Sequence, residues 1–183
     1  MTAGIGHNSG RDFDGYAGRL HQWRRARRRL LGEALPVEVV RIRVRRAAAL
    51  GIDYRTYASV RATTGRDIVA LLFSSNALGM IRTAEIEANR AAKLTRVAAS
   101  RAALIHAPLS ADPVPPLDWA APAPSFVETW PEMRATLSAP LRARSLAADT
   151  VLIVGDTAFE REWCTALRAA GYVGAGRYFG SVS

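Results

Sequence analysis

Cysteine and lysine are nearly missing from this chain. Cys164 stands alone, so no internal disulfide can form and no thiolate cage for a metal can be assembled. The three histidines, His7, His21 and His106, are scattered without ligand spacing, and neither a structural metal nor a cofactor is expected. Long apolar runs are absent too. The strongest, Ile68 to Phe73, falls far short of the roughly 20 residues of a membrane span, and no apolar stretch behind a charged n-region opens the chain. The expectation is a soluble, cytoplasmic protein with no membrane partner.

Acidic residues are scarce where basic ones are dense. Residues 1–105 hold 19 Lys+Arg against 8 Asp+Glu, and residues 106–183 hold 6 against 8, so the first part is strongly basic and the second slightly acidic. The charge is tightest in Arg24-Arg25-Ala26-Arg27-Arg28-Arg29 and in Arg41-Ile42-Arg43-Val44-Arg45-Arg46, with only Glu33 and Glu38 between them. A field of that sign favours a polyanion, above all nucleic acid, with an acidic protein partner as the alternative. All the basic residues but Lys93 are arginine, which suits bidentate phosphate and base recognition and is equally what an Ala- and Arg-rich coding bias gives. At 49% apolar content over 183 residues the chain can bury a core of ordinary size.

Patterning divides the chain into a flexible arm (1–18), a basic helical segment (19–66) and an α/β body (67–183) with a Pro-rich insertion at 107–126. The arm carries five glycines and no apolar period. Its Gly4 to Gly10 stretch, with His7-Asn8-Ser9, resembles an opening shared by assorted small phage and bacterial proteins of unrelated folds. From Ala17 to Leu31, Leu20, Trp23, Leu30 and Leu31 share one helical face, with arginines on its flank. Pro36 opens a second helix over about Val37 to Leu50. Asp53 caps a third, running to Thr63 or Thr64 and ended by Gly65.

Ile68–Phe73 reads as a buried strand, Thr83–Ser100 as helix and Ala103–Ala107 as a second strand. Six of the nine prolines fall between His106 and Phe126, so that stretch is expected to be extended, neither helix nor central strand. Ser125-x-x-Glu128 has capping-box spacing for a helix through about Leu137. A strand over Thr150–Val154, a helix carrying Phe159, Trp163 and Leu167 on one face, and a final strand over Tyr172–Phe179 complete the pattern. Strands alternating with helices give the expected fold class: α/β, a small largely parallel sheet with flanking helices, preceded by the arginine-rich helical segment.

Ala47, where two helices would cross, Gly51 at a tight turn, and Leu50, Ile52, Tyr57 and Val60 as anchors make Arg43–Thr63 resemble a helix-turn-helix, the DNA-binding motif whose second helix enters the major groove. Arg46 departs from it, standing where that motif usually has an apolar residue. The resemblance implies that Tyr54, Arg55 and Ser59 face base edges, and that Arg43, Arg61 and the cluster of Arg24, Arg25, Arg28 and Arg29 meet phosphates. A homodimer would let such a unit read two half-sites. The function expected is nucleic-acid binding, DNA favoured over RNA, by a regulatory or phage or mobile-element accessory protein without catalysis.

Three fragments support a rival. Asp12-Phe13-Asp14-Gly15, Phe73-Ser74-Ser75-Asn76 and Val154-Gly155-Asp156-Thr157 resemble, in that order, pieces of the haloacid-dehalogenase-like phosphohydrolases. That family implies an aspartate nucleophile placed after a buried strand and further acids holding magnesium. Here no strand pattern precedes Asp12, and Tyr16 stands in place of the family's threonine. Turn and capping roles account for the same residues: Asp156 or Thr157 suits an N-cap, and Thr157-x-x-Glu160 has capping-box spacing. Ser74 and Asp156 could border a ligand crevice without any reaction.

Overall fold

The structure is a computed structural model in which residues 35–180 are described. The glycine-rich arm, the amphipathic stretch after it and Arg24, Arg25, Arg28 and Arg29 lie outside the described residues, as do Asp12 and Asp14. Residues through Val40 form one compact unit and those from Arg41 a second. Of the first only the opening of one helix is described, and the second carries the features below.

Helix α1 spans Val37–Ala49, starting just after Pro36, whose carbonyl accepts from Val40 N. Its end is a Schellman arrangement: Ile52 N donates to the Ala47 carbonyl and Gly51 N to that of Ala48, with Gly51 at φ +71°. Asp53 then caps α2, Tyr54–Thr64, accepting from both the backbone N–H and the hydroxyl of Thr56, and Gly65 closes it at φ +69°.

Five strands follow: β1 Ala70–Ser74, β2 Ser100–Ile105, β3 Trp119–Pro122, β4 Val151–Gly155 and β5 Gly171–Gly174. They form one all-parallel sheet in the order β3-β2-β1-β4-β5. The interleaved helices are α3 Ala88–Leu94, α4 Trp130–Arg142, α5 Ala158–Leu167 and α6 Ala175–Phe179, with a single 3-10 turn at Ala148–Thr150. The fold is α/β, as the alternation predicts.

Both faces of the sheet are covered, which is why the central strands are continuously apolar and not alternating. Leu71, Phe73, Leu152 and Val154 face one layer with Ala47, Leu50, Tyr57, Val60, Leu94 and Tyr178. Ala70, Leu72, Val151 and Ile153 face the other with Leu137, Leu141, Trp163 and Leu167. The paired helices α1 and α2 therefore share a core with the sheet.

The proline-rich stretch is neither helix nor central strand; it contributes the edge strand β3, where missing N–H groups are tolerated. Three local expectations differ from the structure. Within Thr83–Ser100 only Ala88–Leu94 is helical. Ala84 and Ile86 pack onto the core from the non-helical chain before it, and Ala98 N leaves helical bonding for the Ala49 carbonyl. Helix α4 starts at the capping box of Thr129 and Glu132, with Pro131 in its first turn, and not at Ser125. Lastly, β5 ends at Gly174 and the chain turns helical, because Ala175 and Tyr178 are buried at helical spacing.

Candidate functional site

The strand order reverses between β1 and β4. The crossover from β1 runs through α3 on one face, and that from β4 through α5 on the other. Such a reversal opens a crevice outside the carboxyl ends of the two strands, the usual ligand position in open α/β sheets. Here it gathers Ser74, Ser75 and Asn76 after β1, His106 after β2, and Asp156, Thr157 and Glu160 after β4.

Glu160 is the hub of that edge. It is fully buried, and its Oε2 accepts from Asp156 N at 2.5 Å and Thr157 N at 3.0 Å. Oε1 accepts from Asn76 Nδ2 at 2.8 Å, bridging the two strand ends at the reversal. Nearby, Ser75 Oγ accepts from His106 N at 3.2 Å and lies 2.8 Å from Nδ1 of the same histidine. A serine hydroxyl can donate to a bare Nδ1 or accept from an Nδ1–H, so the tautomer sets the direction of this second bond. The ring's Nε2 is buried without a hydrogen bond, 3.8 Å from Glu160 Oε1. Burial pushes the imidazole below its ordinary pKa, with the charge of Glu160 pulling the other way. Phe126 stacks near the ring from a loop, at 6.2 Å between centroids, and also packs on Phe159.

This geometry bears on the phosphohydrolase fragments. The second and third are neighbours at the reversal; the first lies outside the described residues. The second fragment, Ser74-Ser75-Asn76 at the end of β1, lies beside the third at the end of β4, while the aspartate pair of the resemblance, Asp12 and Asp14, is in the first. Ser74 and Ser75 are buried, and Ser74 Oγ accepts from Ala77 N at 3.0 Å. The oxygens of Glu160 are engaged by N–H donors, and no group of three His, Cys, Asp or Glu among the described residues is placed to hold a metal. Among the described residues the carboxyl edge of the sheet therefore supplies no ligand set for that family's magnesium, and Asp12 and Asp14 lie outside them.

The second candidate surface lies on α2. Tyr57 and Val60 face inward, so the helix turns Arg55, Ser59 and Thr63 to solvent. Together with Tyr172 of β5 and Arg177 of α6 they line an open cleft of about 590 Å³ with no carboxylate in its wall. Arg177 is held at its mouth by Asp53 at 3.0 Å. Two donors from Thr56 keep the Asp53 carboxyl down at a pKa of about 2. Of the residues assigned to nucleic acid from sequence, Arg55 and Ser59 come together here. Tyr54 and Arg61 are half-buried on the same helix and Arg43 half-buried on α1, outside the cleft lining. Arg43, Arg55 and Arg61 form no ion pair among the described residues.

Arg46 is different. Its guanidinium bonds Asp67 Oδ2 at 2.9 Å and the carbonyls of Ile68 and Ala98, which explains an arginine at the position the helix-turn-helix pattern keeps apolar.

A smaller slot of about 440 Å³ opens on the other side of the α1–α2 turn, between the end of α1 and α3. Lys93 lines it. Its ammonium donates to the Tyr178 carbonyl and sits 4.2 Å from the Tyr178 ring centroid, and burial lowers its pKa. Asn76, His106 and Glu160 converge only because the strand order is 3-2-1-4-5, which no local pattern encodes. Arg177 reaches Asp53 across 124 residues, again without a sequence signal. Comparison with family models, with curated proteins and with solved structures finds no match for this chain.

Proposed function

We propose that this chain binds nucleic acid through the arginine-bearing face of α2 and the cleft beside it, as a regulatory or phage or mobile-element accessory protein whose role is binding, not catalysis. The observation that carries the reading is the convergence of Arg55 and Arg177 with the Ser59 and Thr63 hydroxyls on one open cleft whose wall holds no carboxylate. Guanidinium and hydroxyl donors together are what phosphate oxygens take, and among the described residues Arg55 has no acidic partner to displace. The arginine-dense sequence before α1 adds charge of the same sign.

The test is the affinity of the full chain for a mixed-sequence oligonucleotide across a salt series, beside an Arg55→Ser, Arg61→Ser variant. A steep fall with salt, flattened in the variant, supports the reading, since each arginine–phosphate pair removed takes about 0.7–0.9 from the slope. Salt-sensitive binding to an acidic protein and none to nucleic acid would instead favour the adaptor alternative.

A second reading is favoured by the strand-order reversal itself: the Asn76, His106 and Glu160 network lies where open α/β sheets usually bind ligands. Its phosphohydrolase form would draw its aspartate pair from Asp12 and Asp14, outside the described residues. Magnesium-dependent release of phosphate from an aryl phosphate would favour it.

A further inference from the structure

Helix α2 packs closely on the start of β5: a Cβ on Gly171 would lie 3.1 Å from Val60 Cγ2, and Ala170, Gly171 and Tyr172 line the cleft beside the helix. A recognition helix must project to read the major groove, which is about 8.5 Å deep. Arg55 and Ser59 instead line a concave surface, and a concave polar surface suits a strand lying along it.

The slot at Lys93 is lined by Gly51 of the turn between α1 and α2, and the α2 cleft by Arg177 of α6, which pairs with Asp53 of the same turn. Successive residues of α6 serve both: Arg177 pairs with Asp53 at the α2 cleft, and the Tyr178 carbonyl holds the Lys93 ammonium in the slot. The Tyr178 hydroxyl, donating to the Leu50 carbonyl at 3.1 Å, ties α6 to that turn. The Gly51 backbone is pressed so near that a Cβ there would lie 3.1 Å from both Lys93 Cε and Tyr178 Oη. The walls are therefore closely packed.

The slot combines an apolar lining with polar groups and no acid. Ala48, Ala92 and Val97 supply the apolar lining, and Asn89, Lys93 and Arg96 the polar groups. Arg96 forms no ion pair among the described residues. At about 440 Å³ it falls in the range of about 300–1,000 Å³ typical of small-molecule sites. An asparagine amide offers both a donor and an acceptor to a base edge. A guanidinium plane can stack on a base or meet its phosphate.

We propose that this slot receives an unpaired nucleobase, so that the nucleic acid bound by this chain is single-stranded where it crosses from the α2 cleft to α3. The proposal rests on the nucleic-acid reading above and narrows its ligand, since a base inside a duplex cannot leave its stack without being flipped out. Ribose and deoxyribose strands share this chemistry, and the experiment separates them.

The experiment is fluorescence anisotropy of the full chain with a labelled twelve-nucleotide mixed-sequence single strand, as DNA and as RNA, and with the duplex of the same sequence. It is repeated with an Asn89→Ala, Arg96→Ala variant, both exposed positions, after circular dichroism shows the fold intact. The expected result is a single strand, of one sugar or both, bound at least about tenfold tighter than the duplex, with the variant losing about tenfold on the single strand and much less on the duplex. A duplex bound as tightly or more tightly, or a variant that weakens both equally, overturns the proposal while leaving the nucleic-acid reading standing. No binding of any form at low salt overturns both. An Arg96→Lys variant separates stacking from charge: it should bind the single strand less tightly than the parent, and full retention would contradict a base site.

Discussion

Asp67 holds Arg46 at 2.9 Å while accepting the Tyr57 hydroxyl at 2.8 Å on its other oxygen. One carboxylate thus ties α1 and α2 to the chain entering β1, and Arg46 also satisfies the carbonyls of Ile68 and Ala98. Replacing Arg46 with Ala should cost about 1 to 2 kcal/mol, kept low because both side chains of the pair are part-exposed, at 27% and 38%. Urea unfolding checks it. An unchanged midpoint would mean that this arginine is a surface charge and not a brace.

Glu160 should be the most sensitive polar residue of the sheet's carboxyl edge. Ala at this position strips the α5 cap, orphans the N–H groups of Asp156 and Thr157 and leaves Asn76 unpaired, at an expected cost of about 2 to 3 kcal/mol. Gln should cost only about 1 kcal/mol, because Asn76 can turn its amide to accept from the new NH2 group. Equal losses in the two variants would contradict this hydrogen-bond arrangement.

Gly155 is required for space, not for backbone freedom. A Cβ there would stand 2.9 Å from both Glu160 Cβ and Tyr172 Cε2, so Gly155→Ala should lower stability by about 1 to 3 kcal/mol through overpacking. Gly174, where an added Cβ meets nothing within 4 Å, serves as the comparison, and its Ala variant should unfold near the parent midpoint.

His106 gives the fold a pH dependence of known sign. Its folded pKa is depressed by burial, so below about 6.5 the unfolded chain takes up a proton that the folded chain resists. The contribution is constant above that value, declines as pH falls through it toward the folded pKa, and levels off below. The urea midpoint should therefore drop between about pH 7.5 and pH 5.5, and drop less in His106→Gln. A parent midpoint that rises on acidification would contradict the burial of Nε2.

Much of the local structure is written in short patterns. Asp53 with Thr56, Gly51 and Gly65 at positive φ, and Thr157 with Glu160 follow from capping and turn chemistry within a few residues. The apolar run after Asp67 gives β1, offset by a residue or two. The final helix was hidden because Tyr172 to Phe179 is short and rich in strand-forming residues, and only burial of Tyr178 against Phe73, 5.4 Å between ring centroids, selects the helix. Two consecutive Thr/Ser-x-x-Glu spacings stand at Ser125 and Thr129, and the helix takes the second, which carries Pro131 in its first turn.

The sites were less legible than the elements. Arg55 and Ser59 are four apart on one helix, and sequence periodicity finds them. Their partner Arg177 arrives through tertiary packing. Asn76, His106 and Glu160 come from three different strand ends, and nothing in their spacing says that β4 inserts beside β1.

The most direct test of the account is amide NMR of the full chain titrated with a short single-stranded oligonucleotide. The account predicts perturbations at Arg55, Ser59, Thr63, Tyr172 and Arg177, extending to Asn89 and Arg96, while Asn76, His106 and Asp156 stay in place. Perturbations confined to Asn76, His106 and Asp156 would contradict it, moving function from the arginine face of α2 to the carboxyl edge of the sheet.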